Sequence, residues 1–475
     1  MWHDLLPGAT IRSLHDALES FGGKSFTVGT ACSGSDVVMV ALSELSEFWA
    51  ETFGTKISIR HVFSCESDVG KQNWIRRQFP DCESIISDTA HLSGDFAPLA
   101  GSSQLVKLQS VDLYIAGFIC KSRARNNPNR AQNKHCVQTG EGLTGESFKS
   151  VVGFVERHRP RAALLENVDQ LAEGETPGSA EGSDAEWITK FFKRIGYNCE
   201  YYHIVARLYG SFPRRDRLFW LALRSDVQKV VFDEFPKMLD TMATAHLRVK
   251  PSLDDFLLDE SCRQCRIKEP ADVAGKEFKY KDDHMRLYDS MNLVWPAPSP
   301  RGYDGALDHM EQRAFEVFHF ANNKFPLASG ALTPEFIDVQ PEITWVCGSD
   351  GKQNPWRTVF PTLTSCGQYI YRRWVLGVNY HFLEVGQLDG MELLQMIGFE
   401  MANVETWDFP SHELATSMAG NAFSAYAVGP MLILSMIGLG APRSLTANDG
   451  DDEDDEDAHM SGSGPEDELV IGDLS

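Results

Sequence analysis

The sequence predicts an α/β protein: a doubly wound, mostly parallel sheet with a second, irregular domain set into it. Two observations carry this. Strand and helix signals alternate through residues 24–224 and stop at about 225. Compact apolar patterning resumes at about 356 and ends in the long apolar stretch "NAFSAYAVGPMLILSMIGL".

The elements follow in order. "KSFTVGTAC" (24–32) reads as a buried strand, and "SDVVMVALSELSEFWAETF" (35–53) has apolar residues at helical spacing. "KISIRHVFSCE" (56–66) is a second strand, "VGKQNWIRRQF" (69–79) a helix, and "ESIISD" (83–88) and "SVDLYIAGF" (110–118) are further strands. "GESFKSVVGFVERHR" (145–159) is helical and "PRAALLENV" (160–168) is a fifth strand. "SDAEWITKFFKRIGY" (183–197) is a helix capped by Ser183 or Asp184. "NCEYYHIVARLY" and "RDRLFWLALR" complete the series. Ligands of such sheets lie at the carboxyl ends of the strands. Ser33, Glu66, Asp88, Cys120 and Glu166 fall there.

Four segments result: 1–224 and 356–447 form the body, 225–355 the irregular domain, and 448–475 an acidic tail. The tail carries twelve of the acids and no Lys or Arg, so the net charge of −23 leaves −11 for residues 1–447. The tail is expected to be disordered, as a solvated extension, a contact for basic proteins or a DNA mimic. The acidic body weighs against broad nonspecific nucleic-acid binding, so such contacts need local basic patches. Ten scattered Cys without framework spacing point to reduced thiols inside a cell. No apolar run reaches the roughly 18 residues of a membrane span, and the acid-bearing start does not read as a secretory signal. Cys262 and Cys265 in "CRQC" have zinc-ligand spacing, but no second pair lies nearby, and structural zinc takes four ligands. No metal site is expected.

Cys120 lies in "IAGFICKSRARNN". A thiol after an apolar strand is ordinarily a packed one. Its neighbours argue otherwise. The loop 121–134 holds Lys121, Arg123, Arg125, Arg130 and Lys134 and no acid, which favours a thiolate. The loop itself reads as a mobile lid making phosphate contacts.

Taken together, the strand-end motifs resemble those of the cytosine-C5 methyltransferases. The resemblance covers residues 25–224 and 356–440. "GTACSGSD" stands at the family's first glycine loop, "SCESD" and "SDT" supply acids after the second and third strands, and "AGFICKS" stands at the nucleophile motif. "LLENV" matches Glu-Asn-Val, "FPRRDRLFW" keeps both arginines of Q-x-R-x-R, and "PTLTS" and "MAGNAFSAYAVG" match the last motifs. The resemblance implies a class I, Rossmann-like methyltransferase fold that uses S-adenosylmethionine, with 225–355 as target recognition domain. Cys120 becomes the nucleophile, Glu166 the acid near cytosine N3, and Arg215 and Arg217 the charges that hold the base. The implied cofactor residues are Cys32, Ser33, Gly34, Ser35, Glu66, Ser67, Asp88, Thr89, Gly117, Asn421 and Ala422. The implied partner is duplex DNA with the target cytosine flipped out, in a nucleus; RNA, tRNA in particular, is the alternative substrate. A catalytically weak adaptor is a third reading, because the resemblance departs near the thiol. Ile119 stands for Pro, Lys121 for Gln, and Pro213 for the Gln of Q-x-R-x-R.

Overall fold

The structure is a computed structural model. It describes residues 6–125, 127–173, 182–227, 232–246, 251–258, short stretches between 286 and 338, 352–365, 367, 369–376, 381–399 and 410–440. Cys262, Cys265 and the acidic tail lie outside these residues. The described residues all belong to one unit, 1–442.

Helix α1 (Gly8–Ser20) precedes β1 (Phe26–Ala31), α2 (Val37–Phe53), β2 (Ile59–Cys65), α3 (Val69–Gln78) and β3 (Ile85–Ile86). A small hairpin, β4 (Phe96–Pro98) and β5 (Leu105–Lys107), leads to β6 (Leu113–Gly117), α4 (Cys136–Thr139), α5 (Gly142–His158) and β7 (Ala162–Val168). Then come α6 (Asp184–Arg194), β8 (Tyr197–Val205), β9 (Asp216–Arg224) and α7 (Phe235–His246). The described C-terminal part holds β10 (Glu335–Asp338), β11 (Tyr369–Leu376), β12 (His381–Gln387), α8 (Gly390–Met396), α9 (His412–Asn421) and α10 (Ala425–Leu439).

Seven strands form one sheet in the order β3-β2-β1-β6-β7-β9-β8. All pairings from β3 to β7 are parallel, whereas β9 runs antiparallel to β7 and to β8. The sheet is thus mostly parallel, as the alternation predicts. Strand β7 explains itself from its sequence: all seven residues of "AALLENV" are buried, as expected of a strand covered on both faces. Alternate residues supply two cores. Leu113, Ile115 and Leu164 face a core with residues of α2 and α10, while Tyr114, Ala116 and Leu165 face one with Phe148, Phe154 and Phe192.

Helix α10 is apolar all round, and every residue in it except Tyr426 is buried. It packs on α1, α2, β7 and β9, so the C-terminal segment returns to the first sheet as its composition suggests. Truncating a fully buried side chain such as Leu432 to Ala costs about 2–5 kcal/mol. No single helix among the described residues is long and apolar enough to cross a membrane.

Several boundaries differ from expectation. Ser183, rather than Asp184, caps α6, its side chain accepting from the Glu186 N–H. The third strand shrinks to two residues, and β6 ends at Gly117, three residues before Cys120. Helix α1 and the β4–β5 hairpin are additions. Strands β10, β11 and β12 form a separate antiparallel sheet, in which 335–338 pairs with 369–372, across position 355.

Candidate active site

Strand β6 delivers the chain to the site at Gly117, which lies opposite Glu166 of β7. A Cβ at Gly117 would sit 3.2 Å from Phe423 Cζ and 3.4 Å from Glu166 Oε2, so glycine permits the close approach of three segments. The chain then turns. The Cys120 carbonyl accepts from the N–H groups of Arg123 and Ala124 at 3.0 and 2.9 Å. Asn167 ties this turn to β7: its Nδ2 donates to the Phe118 carbonyl at 2.8 Å, and its Oδ1 accepts from the Val168 N–H at 2.8 Å. Cys120 itself is a half-buried free thiol.

Three charges act on that thiol. Burial pushes the Cys120 pKa up; Arg217 pulls it down, Glu166 raises it and Arg215 lowers it. Arg217 Nε lies 2.9 Å from Glu166 Oε1, and both side chains are nearly buried. Arg217 also donates to the Asp216 carbonyl at 2.7 Å. Arg215 has different partners. It is buried and donates to the carbonyls of Gly420 (3.3 Å) and Ala422, fastening the C-terminal segment to β9. Burial, followed by the Arg217 charge, lowers its pKa to about 9, which leaves it cationic at neutral pH. The two arginines that one sequence motif supplies therefore face different tasks. Gly420 makes that fastening possible, since a Cβ there would lie 2.2 Å from the Thr364 carbonyl carbon. The "PTLTS" and "MAGNAF" motifs meet at this contact.

The basic loop is more tightly held than its composition suggests. Arg123 is buried and donates to the carbonyls of Arg130 (2.9 Å) and Gln170, which removes it as a phosphate contact. Arg125 is exposed but paired with Asp169. Lys121 and Arg130 remain exposed, and Lys134 half-exposed. Asp169, His203 and Asp216 hold ligand-type atoms within 4.8 Å of one another. Arg125 and Arg214 already pair with the two acids, which disfavours a cation there.

On the cofactor side, the loop after β1 adopts left-handed backbone at Cys32 (φ 51°), Gly34 (φ 60°) and Asp36 (φ 56°). Glu66 spans two loops, accepting from the Gly34 N–H at 2.8 Å through Oε2 and from the Asp68 N–H at 2.9 Å through Oε1. Ser67 donates to the same carboxylate at 3.5 Å. Ser33 is buried and bonds Thr30 at 2.7 Å. Ser35 is buried with a hydroxyl that has no hydrogen-bond partner among the described residues. Gly34 faces Ala422, whose Cα a Cβ would meet at 3.9 Å. Asp88 is exposed and caps the short helical turn Thr89–Ser93 through the Ala90 N–H at 2.8 Å. Asn421 is exposed at the end of α9, its amide 3.5 Å from Ser417 Oγ. Cys32 is a poor nucleophile: burial, then Glu66, pushes its pKa up to about 12. An orphan hydroxyl, a glycine facing the 422 backbone and an acid beside the loop fit a polar, pyrophosphate-free cofactor such as S-adenosylmethionine.

The structure thus gathers Cys120, Glu166, Arg217, Arg215 and Gly117 at one end of β6, β7 and β9. It gathers Cys32, Ser33, Gly34, Ser35, Glu66, Ser67 and Ala422 at the end of β1 and β2. Asp88 and Thr89 lie after β3, and Asn421 at the end of α9. Two features went unread in the sequence. Asn167 sits inside the "LLENV" motif that signals it. Asp36, in the loop after β1, is buried and bonds Ser64 and Thr30 (3.2 Å), with His61 Nε2 at 3.4 Å. Only His61 and Ser64, polar residues in the buried part of β2, hinted at that network.

This sheet, with one reversed strand near its edge and polar residues at the strand ends, is the class I methyltransferase fold. Within that class, the family described as C-5 cytosine-specific DNA methylase matches residues 50–292, half of the chain, and the chain belongs to it. It is 26% identical over 250 residues to the DNA (cytosine-5-)-methyltransferase DMT5 of Cryptococcus neoformans, a match covering 50% of this chain and 10% of that protein. It is 26% identical over 179 residues to the type II methyltransferase M.Sau3AI of Staphylococcus aureus, covering 38% of this chain and 37% of that one. The chain thus matches well under half the length of these relatives. The solved Entamoeba histolytica methyltransferase EhMeth aligns with 87% of this chain and 98% of that one, at TM-score 0.45 and 9% identity.

Proposed function

We propose that this chain methylates C5 of cytosine in duplex DNA with S-adenosylmethionine as donor. The observation that carries the reading is the nearly buried Arg217–Glu166 pair set at the strand ends beside the turn that bears Cys120, in a chain of the C-5 cytosine methylase family. When bound, S-adenosylmethionine supplies an electrophilic methyl group on a cationic sulfur. The protein's residues must do the rest. Cytosine C5 is a weak nucleophile and lies inside the stack, so the base is flipped toward Cys120. The Cys120 thiolate adds to C6, which makes C5 nucleophilic. Glu166 manages the proton at N3 as charge develops on the ring, and Arg217, already paired with it, steadies the acid and lowers the thiol pKa. Arg215 acts through the 420–422 backbone, holding the C-terminal segment over the cofactor loop. Loss of the C5 proton to solvent lets the C5–H electron pair re-form the C5–C6 double bond and expel Cys120 as the thiolate, which restores the ring. Glu66, Ser33, Ser35, Asp88 and the 421–422 segment would hold the cofactor.

We assign target recognition to residues 225–355, which interrupt the two parts of the body. DNA is preferred to RNA because the family is described as a C-5 cytosine-specific DNA methylase and the Cryptococcus neoformans relative as a DNA (cytosine-5-)-methyltransferase. The covalent step is tested with duplex DNA carrying 5-fluorocytosine. Fluorine at C5 cannot leave as a proton does, so the wild type should form a denaturation-resistant complex in the presence of cofactor. Cys120→Ala should form none. Absence of a complex with the wild type, cofactor bound, would refute the covalent route.

A further inference from the structure

Cys120 is three residues past the end of its strand, and the sheet reaches the turn through the Asn167 bond to the Phe118 carbonyl, so the residues nearer the thiol need a further support. Helix α5 supplies it from both sides. Thr144 and Ser147 are three residues apart and share the helix face that meets the loop. Ser147 Oγ accepts from the Ile119 N–H at 3.0 Å while donating to the Thr144 carbonyl at 3.0 Å. Thr144 Oγ1 accepts from the Ser122 N–H at 3.1 Å, and the Thr144 N–H donates to Ser122 Oγ at 3.3 Å. Thr144 and Ser122 are both buried. The residues on either side of the reactive one are therefore pinned to a single helix.

We propose that Ser147 is a positioning residue for the Cys120 thiol. Its hydroxyl fixes the Ile119 peptide, immediately before the cysteine. That bond depends on the residue at 119 having an N–H. A proline there would have none to donate, and would restrict the same backbone through its ring instead. Ile119 therefore supplies the donor and Ser147 the acceptor of a bond that fixes the turn just before the thiol. The inference rests on the proposed role of Cys120 as nucleophile. Misplacement of a reacting atom by about 1 Å can cost on the order of a hundredfold in rate, so a bond one peptide away matters more to catalysis than to folding.

The test uses the full chain with Ser147→Ala and Ser147→Thr. Single-turnover methyl transfer to duplex DNA, S-adenosylmethionine affinity, thermal midpoint and the pH profile of Cys120 alkylation by iodoacetamide are measured for each. Ser147→Ala should lower the transfer rate about tenfold to a hundredfold and change the alkylation profile, with cofactor affinity unchanged. Ser147→Thr, which keeps the hydroxyl, should stay close to wild type in both. A wild-type rate and alkylation profile in Ser147→Ala would overturn the proposal. So would equal impairment of the Ala and Thr variants, which would indicate packing rather than the hydroxyl. Should the wild type transfer no methyl group at all, the proposed function fails separately, and the alkylation profiles alone decide the positioning role.

Discussion

Replacing Arg217 by Met removes one half of a pair that the structure places at 2.9 Å with both side chains about nine-tenths buried. Screening by water is slight at such a site, so the Glu166 carboxylate is left without its charge partner. Breaking a buried pair in this way costs about 3–5 kcal/mol. That is a large share of the roughly 5–15 kcal/mol that stabilises a typical domain, yet it leaves the folded state populated. The same change raises the Cys120 pKa further, because Arg217 is the largest influence lowering it. Alkylation of the thiol should therefore move to higher pH. Adding Glu166→Gln removes the stranded carboxylate and with it the acid's raising influence on the thiol. The double variant should regain most of the lost stability, and its alkylation midpoint should fall back toward wild type. Both should have lost at least about a hundredfold in methyl transfer. Denaturant unfolding and pH-dependent alkylation provide the two readouts. Unchanged stability and an unchanged alkylation midpoint in Arg217→Met would refute the coupling of acid, arginine and thiol.

Two other outcomes are expected. Glu66→Ala should weaken S-adenosylmethionine binding at least about tenfold, since the carboxylate organises the Gly34 and Asp68 amides; calorimetric titration showing wild-type affinity in a folded variant would remove Glu66 from the cofactor site. Asn167→Ala strands the Phe118 carbonyl and the Val168 N–H in a buried setting, so unfolding should be easier by about 1–3 kcal/mol. Methyl transfer should fall with it, and full activity would remove Asn167 from the account.

The alternation of apolar strands with amphipathic helices made the sheet readable, and "AALLENV" shows why: all seven positions are buried and five of them are apolar. Strand direction leaves no such trace. The reversal of β9 depends on how β8 and β9 connect, so "RDRLFWLALR" reads the same either way up. The β4–β5 hairpin has three residues per strand, too short for any period to register. In the site, the motifs single out Cys120, Glu166, Arg215 and Arg217 as candidates, but they say nothing of the partners these side chains take. Nothing in "PRRDR" distinguishes the arginine that meets Glu166 from the one that meets the carbonyls of 420 and 422. Arg123 makes the same point. It looks like one of five solvated cations, but two carbonyls from 130 and 170 draw it inside. Side-chain hydroxyls such as Ser147 are read least well, because their function depends on which backbone amide lies opposite.

The central claim is that Cys120 attacks cytosine in DNA. Its most direct test follows labelled methyl from S-adenosylmethionine into duplex DNA and, separately, into tRNA, with the wild type and Cys120→Ala. The account predicts 5-methylcytosine in DNA with the wild type and none with the variant. Label entering neither polymer while cofactor binding is intact, or entering DNA equally with Cys120→Ala, would contradict it.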